Sequence, residues 1–78
     1  MSDFIIRIPR VSVAVSEAEL TELLVAAGEY VDEGTPIYVL ATEKVEQEIE
    51  AGASGTVHWT GRVGTTYNIG AEIGVITP

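Results

Sequence analysis

Hydrophobic and polar positions along the chain set out a hairpin near its middle. Val45-Glu46-Gln47-Glu48-Ile49-Glu50 alternates strictly, which puts Glu46, Glu48 and Glu50 on one face of a strand. Just before it, Ile37-Tyr38-Val39-Leu40-Ala41 is a short apolar run rich in β-branched and aromatic residues, a second strand signal. Only Thr42-Glu43-Lys44 lies between them. Strands this close are predicted to be antiparallel neighbours joined by a tight turn. That turn holds no Gly or Asn, so the usual signals do not name its backbone type. Lys44 is expected at or beside the tip, its side chain in water.

A second regularity is an internal repeat at an offset of 36 residues. Gly28, Gly34 and Ile37 recur as Gly64, Gly70 and Ile73, while Leu23, Val31 and Leu40 correspond to Trp59, Tyr67 and Ile76. Each half reads as Gly, a turn, Gly, then a β-rich run, which predicts a β-structure with pseudo-two-fold symmetry. Shifting Lys44 by the same offset reaches the region of residue 8 or passes Pro78. The symmetry mate of the hairpin is then the pair of chain termini, at the opposite end of the domain.

One segment carries a conflicting signal. Ser16-Glu17-Ala18-Glu19 is a capping-box pattern, and Leu20, Leu23, Leu24 and Ala27 follow at helical spacing before Gly28. Local propensity therefore favours a helix over residues 17–27. The repeat instead pairs this stretch with Gly55-Thr56-Val57-His58-Trp59-Thr60, which reads as strand. The repeat takes precedence, because tertiary context overrides a short propensity signal. Glycines at 52, 55, 61, 64, 70 and 74 divide the second half into short strands. The predicted fold is all-β, a flattened barrel or sandwich.

Length and composition narrow the function. Seventy-eight residues make one domain, 1–78, with a small core. Twelve acids against four bases give a net charge of −8, which disfavours nucleic acid and anionic membrane surfaces and suits partners with basic patches. The apolar runs are far shorter than the roughly 20 residues of a membrane span, and Met1-Ser2-Asp3 begins no signal-peptide pattern. With no cysteine there is no disulfide framework or thiolate metal site. A cytoplasmic or matrix-like compartment is expected.

Most enzyme chemistry lacks its residues. His58 is the sole histidine and is expected to be structural or solvent-facing. Ser2, Ser12, Ser16 and Ser54 have no companions in a nucleophile pattern. The glycines form no phosphate-binding motif. Trp59, Phe4 and the tyrosines are expected in the core or half-buried in the sheets. What stands out is that Arg7, Arg10 and Arg62 are the other bases, so Lys44 is the only lysine.

Glu22-Leu23-Leu24-Val25, Gly28-Glu29-Tyr30-Val31-Asp32-Glu33-Gly34, Thr42-Glu43-Lys44-Val45, the stretch from Ala51 to Val57 and the ending from Gly70 to Ile76 together resemble the lipoyl/biotinyl carrier domain. Within it, the chain is most similar to the lipoyl domains of 2-oxo acid dehydrogenase acyltransferases. Phe4 to Pro9 looks like the family's first strand, and the Gly34-to-Lys44 spacing is its more specific mark. The resemblance implies two four-stranded antiparallel sheets related by a pseudo-two-fold axis. It also implies a non-catalytic carrier, monomeric as an isolated domain, with lipoate in amide linkage to Lys44 and with Thr42, Glu43 and Val45 as recognition flanks. Lipoyl domains usually show Glu-Thr-Asp-Lys-Ala there; this chain keeps an acid as Glu43 but has Ala41 in place of the first Glu. Gly52 stands where the family commonly has proline. Biotin carriers flank the lysine with methionines, and Met1 is the only methionine here, so biotin is the alternative cofactor.

The partners implied are a lipoate-attachment enzyme, a thiamine-diphosphate-dependent 2-oxo acid decarboxylase component, an acyltransferase core and dihydrolipoamide dehydrogenase. A free lysine has a pKa near 10.4, so on the order of one in 10³ is neutral at pH 7. Activation is therefore expected from the modifying enzyme, with the domain supplying position. No linker is visible, which fits either a piece of a larger acyltransferase chain or a free-standing carrier. A third reading is an unmodified interaction module of the same fold.

Overall fold

In the computed structural model, residues 2–10, 15–43 and 45–78 are described. All regular structure among them is strand: β1 Phe4–Arg7, β2 Glu17–Leu23, β3 Tyr30–Val31, β4 Pro36–Ala41, β5 Glu46–Glu50, β6 Gly55–Trp59, β7 Thr65–Asn68 and β8 Glu72–Thr77. Every pairing is antiparallel, and the strands form two four-stranded sheets in the orders β1-β8-β6-β3 and β5-β4-β2-β7. The sheets do not close into a barrel. They stack as a flattened sandwich measuring 34 × 20 × 20 Å.

The helical signal in residues 17–27 has a structural origin. At its start, β2 alternates as a strand should, with Glu17 and Glu19 exposed and Ala18 and Leu20 buried. Between Leu20 and Glu22 the register shifts: Leu20 pairs with Leu40, Glu22 with Val39 and Leu23 with Tyr38. Three steps along β2, from Leu20 to Leu23, thus face two steps along β4, from Leu40 to Tyr38. One extra residue in a strand restores the next leucine to the inner face. Leu20 and Leu23 consequently share a face at the i, i+3 spacing of a helix.

The 36-residue repeat is visible in the backbone. Leu24 N–H donates to the Ile37 carbonyl and Thr60 N–H to the Ile73 carbonyl, both at 2.9 Å. Thr35 N–H donates to Asp32 at 3.1 Å and Ala71 N–H to Asn68 at 3.0 Å. At the turns into β4 and β8, Gly34 and Gly70 adopt φ of 93° and 89°. A Cβ at either would meet nothing within 4 Å, so backbone conformation, not crowding, favours glycine at both.

The inner faces form one core, with Leu20, Ile37, Tyr38, Leu40, Val57, Ile73 and Ile76 almost wholly shielded from solvent. No polar or charged residue is buried among the described ones. Trp59 and Tyr67 are half-buried against this core, as the sequence suggests. The expectation fails for Tyr30, which is 66% exposed, because β3 is only two residues long and Tyr30 pairs with Thr56 away from the core, where Val31 turns inward. Phe4 is also largely outside, at 40% exposure.

Candidate functional site

Among the described residues the β4–β5 hairpin is the longest two-strand ladder, running from the pair Pro36–Glu50 to the pair Ala41–Glu46. Beyond the last ladder pair, Thr42 N–H donates to the Val45 carbonyl at 2.8 Å. Between these two the sequence leaves only Glu43 and Lys44. Lys44 lies outside the described residues; its flanks Thr42, Glu43 and Val45 do not. Thr42 is half-buried, Glu43 is exposed and Val45 is 51% exposed.

The Thr42 hydroxyl adds to the closure. It donates to the Val45 carbonyl at 3.4 Å and accepts from the Val45 N–H at 3.4 Å. Two-residue hairpins ordinarily use type I′ or II′ turns, both of which need φ > 0 at the first loop residue. No non-glycine residue among those described has positive φ, so Glu43 excludes both types. The turn that the sequence left unnamed is therefore not of the usual hairpin kind.

A ladder of contacts fixes where this loop sits. From Ala41–Glu46 the hairpin runs to Pro36–Glu50, then Gly34 N–H to the Ala51 carbonyl at 2.9 Å, Val31 opposite Gly55, and Thr56 opposite Thr77. Thr42 and Val45 thus lie at the end of the sandwich away from Thr77. Gly34 is separated from Thr42 by the whole of β4, six residues or about 20 Å at the usual strand rise. Its place is the turn into β4.

The outer face next to the loop is acidic. Pairing sets Glu19, Ala41 and Glu46 in one row and Glu22, Val39 and Glu48 in the next. The residues of β2, β4 and β5 include no Lys or Arg. The rows explain Ala41: a glutamate there would stand between two others. The neighbouring glutamates were legible only in part, since β5 alone shows its alternation, whereas Glu19 and Glu22 lay inside the helix-like segment.

The other departure also has a cause. A Cβ on Gly52 would run into the Phe4 ring, whose Cζ and Cε atoms lie over that position. His58 is exposed. Ser54, without a catalytic companion, accepts from Glu33 N–H at 2.9 Å and ties two loops together.

A covalent arm needs an accessible attachment point, and the exposed Glu43 and Val45 on either side of Lys44 in sequence fit that requirement. Two clefts, of about 490 and 230 Å³, are lined by residues of the segments 4–10, 37–38 and 47–52, not by Thr42, Glu43, Val45 or Glu46. Among the described residues no three His, Asp or Glu side chains gather to hold a metal, and no helix is long and apolar enough to cross a membrane.

Against known proteins, residues 5–76 match a biotin/lipoyl family model described as "Biotin-requiring enzyme". No curated protein matches the chain in sequence.

Proposed function

We propose that this chain, which belongs to the biotinyl/lipoyl carrier family, is a lipoyl carrier serving a 2-oxo acid dehydrogenase-type system, with Lys44 as its attachment residue. Domains of this family are non-catalytic and carry lipoate or biotin covalently on a lysine. The observation that carries the proposal is that the chain's sole lysine falls in the two-residue loop closed by Thr42 and Val45. The choice of lipoyl over biotin rests on the flanks, Glu43 and Val45 where biotin carriers have methionines.

Attachment converts the Lys44 amine and an activated lipoyl group into an amide. The Lys44 ammonium gives up one proton to become nucleophilic and a second as the amide forms, and the activating group departs from the acyl carbon as the leaving group. The net charge then moves from −8 to about −9, by loss of one cation. The attached dithiolane supplies acyl and electron carriage between partner active sites. The protein's own contribution is position: a two-stranded base of β4 and β5 holds the loop on a rigid element. The rows ending in Glu46 and Glu48 steer the domain toward basic partner surfaces. The partners proposed are a lipoate-attachment enzyme, a thiamine-diphosphate-dependent decarboxylase component, an acyltransferase core and dihydrolipoamide dehydrogenase.

Intact mass decides it. After co-expression with a lipoate-attachment enzyme, the chain gains one lipoyl increment, and Lys44→Arg gains none. A biotinyl increment with a biotin-attachment enzyme in its place reassigns the cofactor. No increment under either condition makes the chain an unmodified interaction module and overturns the proposal.

A further inference from the structure

We infer that Thr42 is a positioning residue, its hydroxyl holding the lysine loop in the shape that the attachment enzyme reads. The inference deepens the carrier reading and rests on it for the enzyme step alone. The turn lacks the backbone geometry that matches the twist of a hairpin, since Glu43 does not have the positive φ of a I′ or II′ turn. It also lacks the glycine or asparagine that ordinarily relieves such a turn.

A side chain supplements the backbone closure with two longer contacts, of 3.4 Å each. A hydroxyl both donates and accepts, and Thr42 uses both capacities on the backbone of one residue, reaching the Val45 carbonyl and the Val45 N–H. The Thr42 N–H holds the same carbonyl at 2.8 Å. Three hydrogen bonds thus span the loop on either side of Glu43 and Lys44, and two depend on one oxygen. Without it, the backbone bond alone joins the two ends. The loop then samples more shapes, and ordering it costs entropy when the enzyme binds. Thr42 acts through Val45 and is not assigned a contact with the acyl group.

Thr42→Val keeps the shape and removes the hydroxyl; Thr42→Ser keeps the hydroxyl and removes the methyl. Amide exchange on the unmodified chain provides the first test. Thr42→Val speeds exchange at Val45 roughly two- to tenfold, the range for one net hydrogen bond, leaves the core amide of Leu40 unchanged, and is reversed in Thr42→Ser. Steady-state modification by whichever attachment enzyme accepts the wild type provides the second. Thr42→Val raises KM with kcat unchanged, and Thr42→Ser restores it. Unaltered Val45 exchange in Thr42→Val, equal behaviour of the two variants, or loss of protection at Leu40 overturns the inference. A wild type accepted by neither enzyme refutes the carrier reading, and exchange alone then decides the clamp.

Discussion

The ring of Trp59 meets that of Tyr38 edge-on, with centroids 5.9 Å apart and planes at 81°. The two residues come from opposite sheets and from non-equivalent positions of the repeat. Tyr38 pairs with Leu23 across β2 and β4, and the equivalent pair across β6 and β8 is Trp59 with Gly74. Where one half of the molecule places leucine beside tyrosine, the other places the largest side chain beside the smallest. Gly74 makes room for this arrangement, since a Cβ there would come within 3.0 Å of the Trp59 ring and 2.7 Å of the His58 carbonyl oxygen. Edge-to-face contact suits the ring quadrupoles, and the Trp59 indole N–H donates to the Val25 carbonyl at 3.0 Å.

Burial pushes the Tyr38 phenol up to about 12 from its usual 10. Above pH 10 the unfolded chain loses this proton while the folded one retains it. The stabilisation from keeping Tyr38 neutral is thus complete below pH 10 and is lost as pH rises toward 12. Urea midpoints followed by Trp59 fluorescence should fall between pH 10 and 12. In Tyr38→Phe that part of the fall should vanish. At pH 7 the same variant should lose about 1 kcal/mol or less, because the hydroxyl makes only a long bond of 3.4 Å to the Arg7 carbonyl. A wild type and variant with identical alkaline profiles would refute the assignment.

The sequence disclosed the topology more fully than the surface. Gly28, Gly34, Gly64 and Gly70 mark turns that any rearrangement of side chains must respect, so the repeat survived as identities and correctly overrode the helical spacing of Leu20 to Ala27. The bulge between Leu20 and Glu22 was hidden because pairing register is a property of two strands at once. The hairpin was read from β4 and β5 alone, for all its pairs are local. Thr42's hydrogen bonds were not, since they depend on the turn geometry that residue types left open. Tyr30 was misplaced for the opposite reason: aromatic character speaks for burial, but a two-residue edge strand has little inner face to offer.

Phe4 and Gly52 should be energetically coupled. The ring lies over the site a Cβ would occupy, but its outer atoms belong to a rotatable, 40% exposed side chain. Gly52→Ala should therefore destabilise by about 1 kcal/mol, the cost of moving a ring into a less favourable rotamer. In a Phe4→Val background the ring is gone and the same substitution should be close to neutral. A double-mutant cycle by urea unfolding measures the difference. Equal effects in both backgrounds would show that Phe4 does not set the choice of glycine.

Three turn and strand glycines should separate by mechanism. Gly34→Ala and Gly70→Ala place a Cβ in open space but force an L-residue to φ near 90°. Each should cost about 1–2 kcal/mol, and the two should agree closely because the turns are repeat equivalents. Gly55→Ala should cost more than either, since its Cβ would collide with the Thr77 carbonyl, part of the β8 backbone that cannot step aside. Chemical denaturation of the three single variants gives the order. Gly55→Ala as the mildest of them would contradict the close approach of β6 to the end of β8.

Ala41 should mark how far the acidic face can be extended. Glu19 and Glu46 stand directly across from it on the two neighbouring strands. Ala41→Glu, which restores the acid usual in lipoyl domains, would set three carboxylates in one cross-strand row without a basic side chain on β2, β4 or β5. Like charges directly opposite one another in a sheet destabilise by roughly 0.2–1 kcal/mol per pair, so the variant should lose about 1 kcal/mol at low ionic strength. Screening shortens the reach of these charges from ~10 Å at 0.1 M salt to ~3 Å at 1 M. The penalty should shrink accordingly in thermal melts at 1 M sodium chloride, and it should also shrink in Ala41→Glu/Glu19→Gln at low salt. A deficit that persists in both conditions would locate the cause in packing at Ala41 rather than in charge.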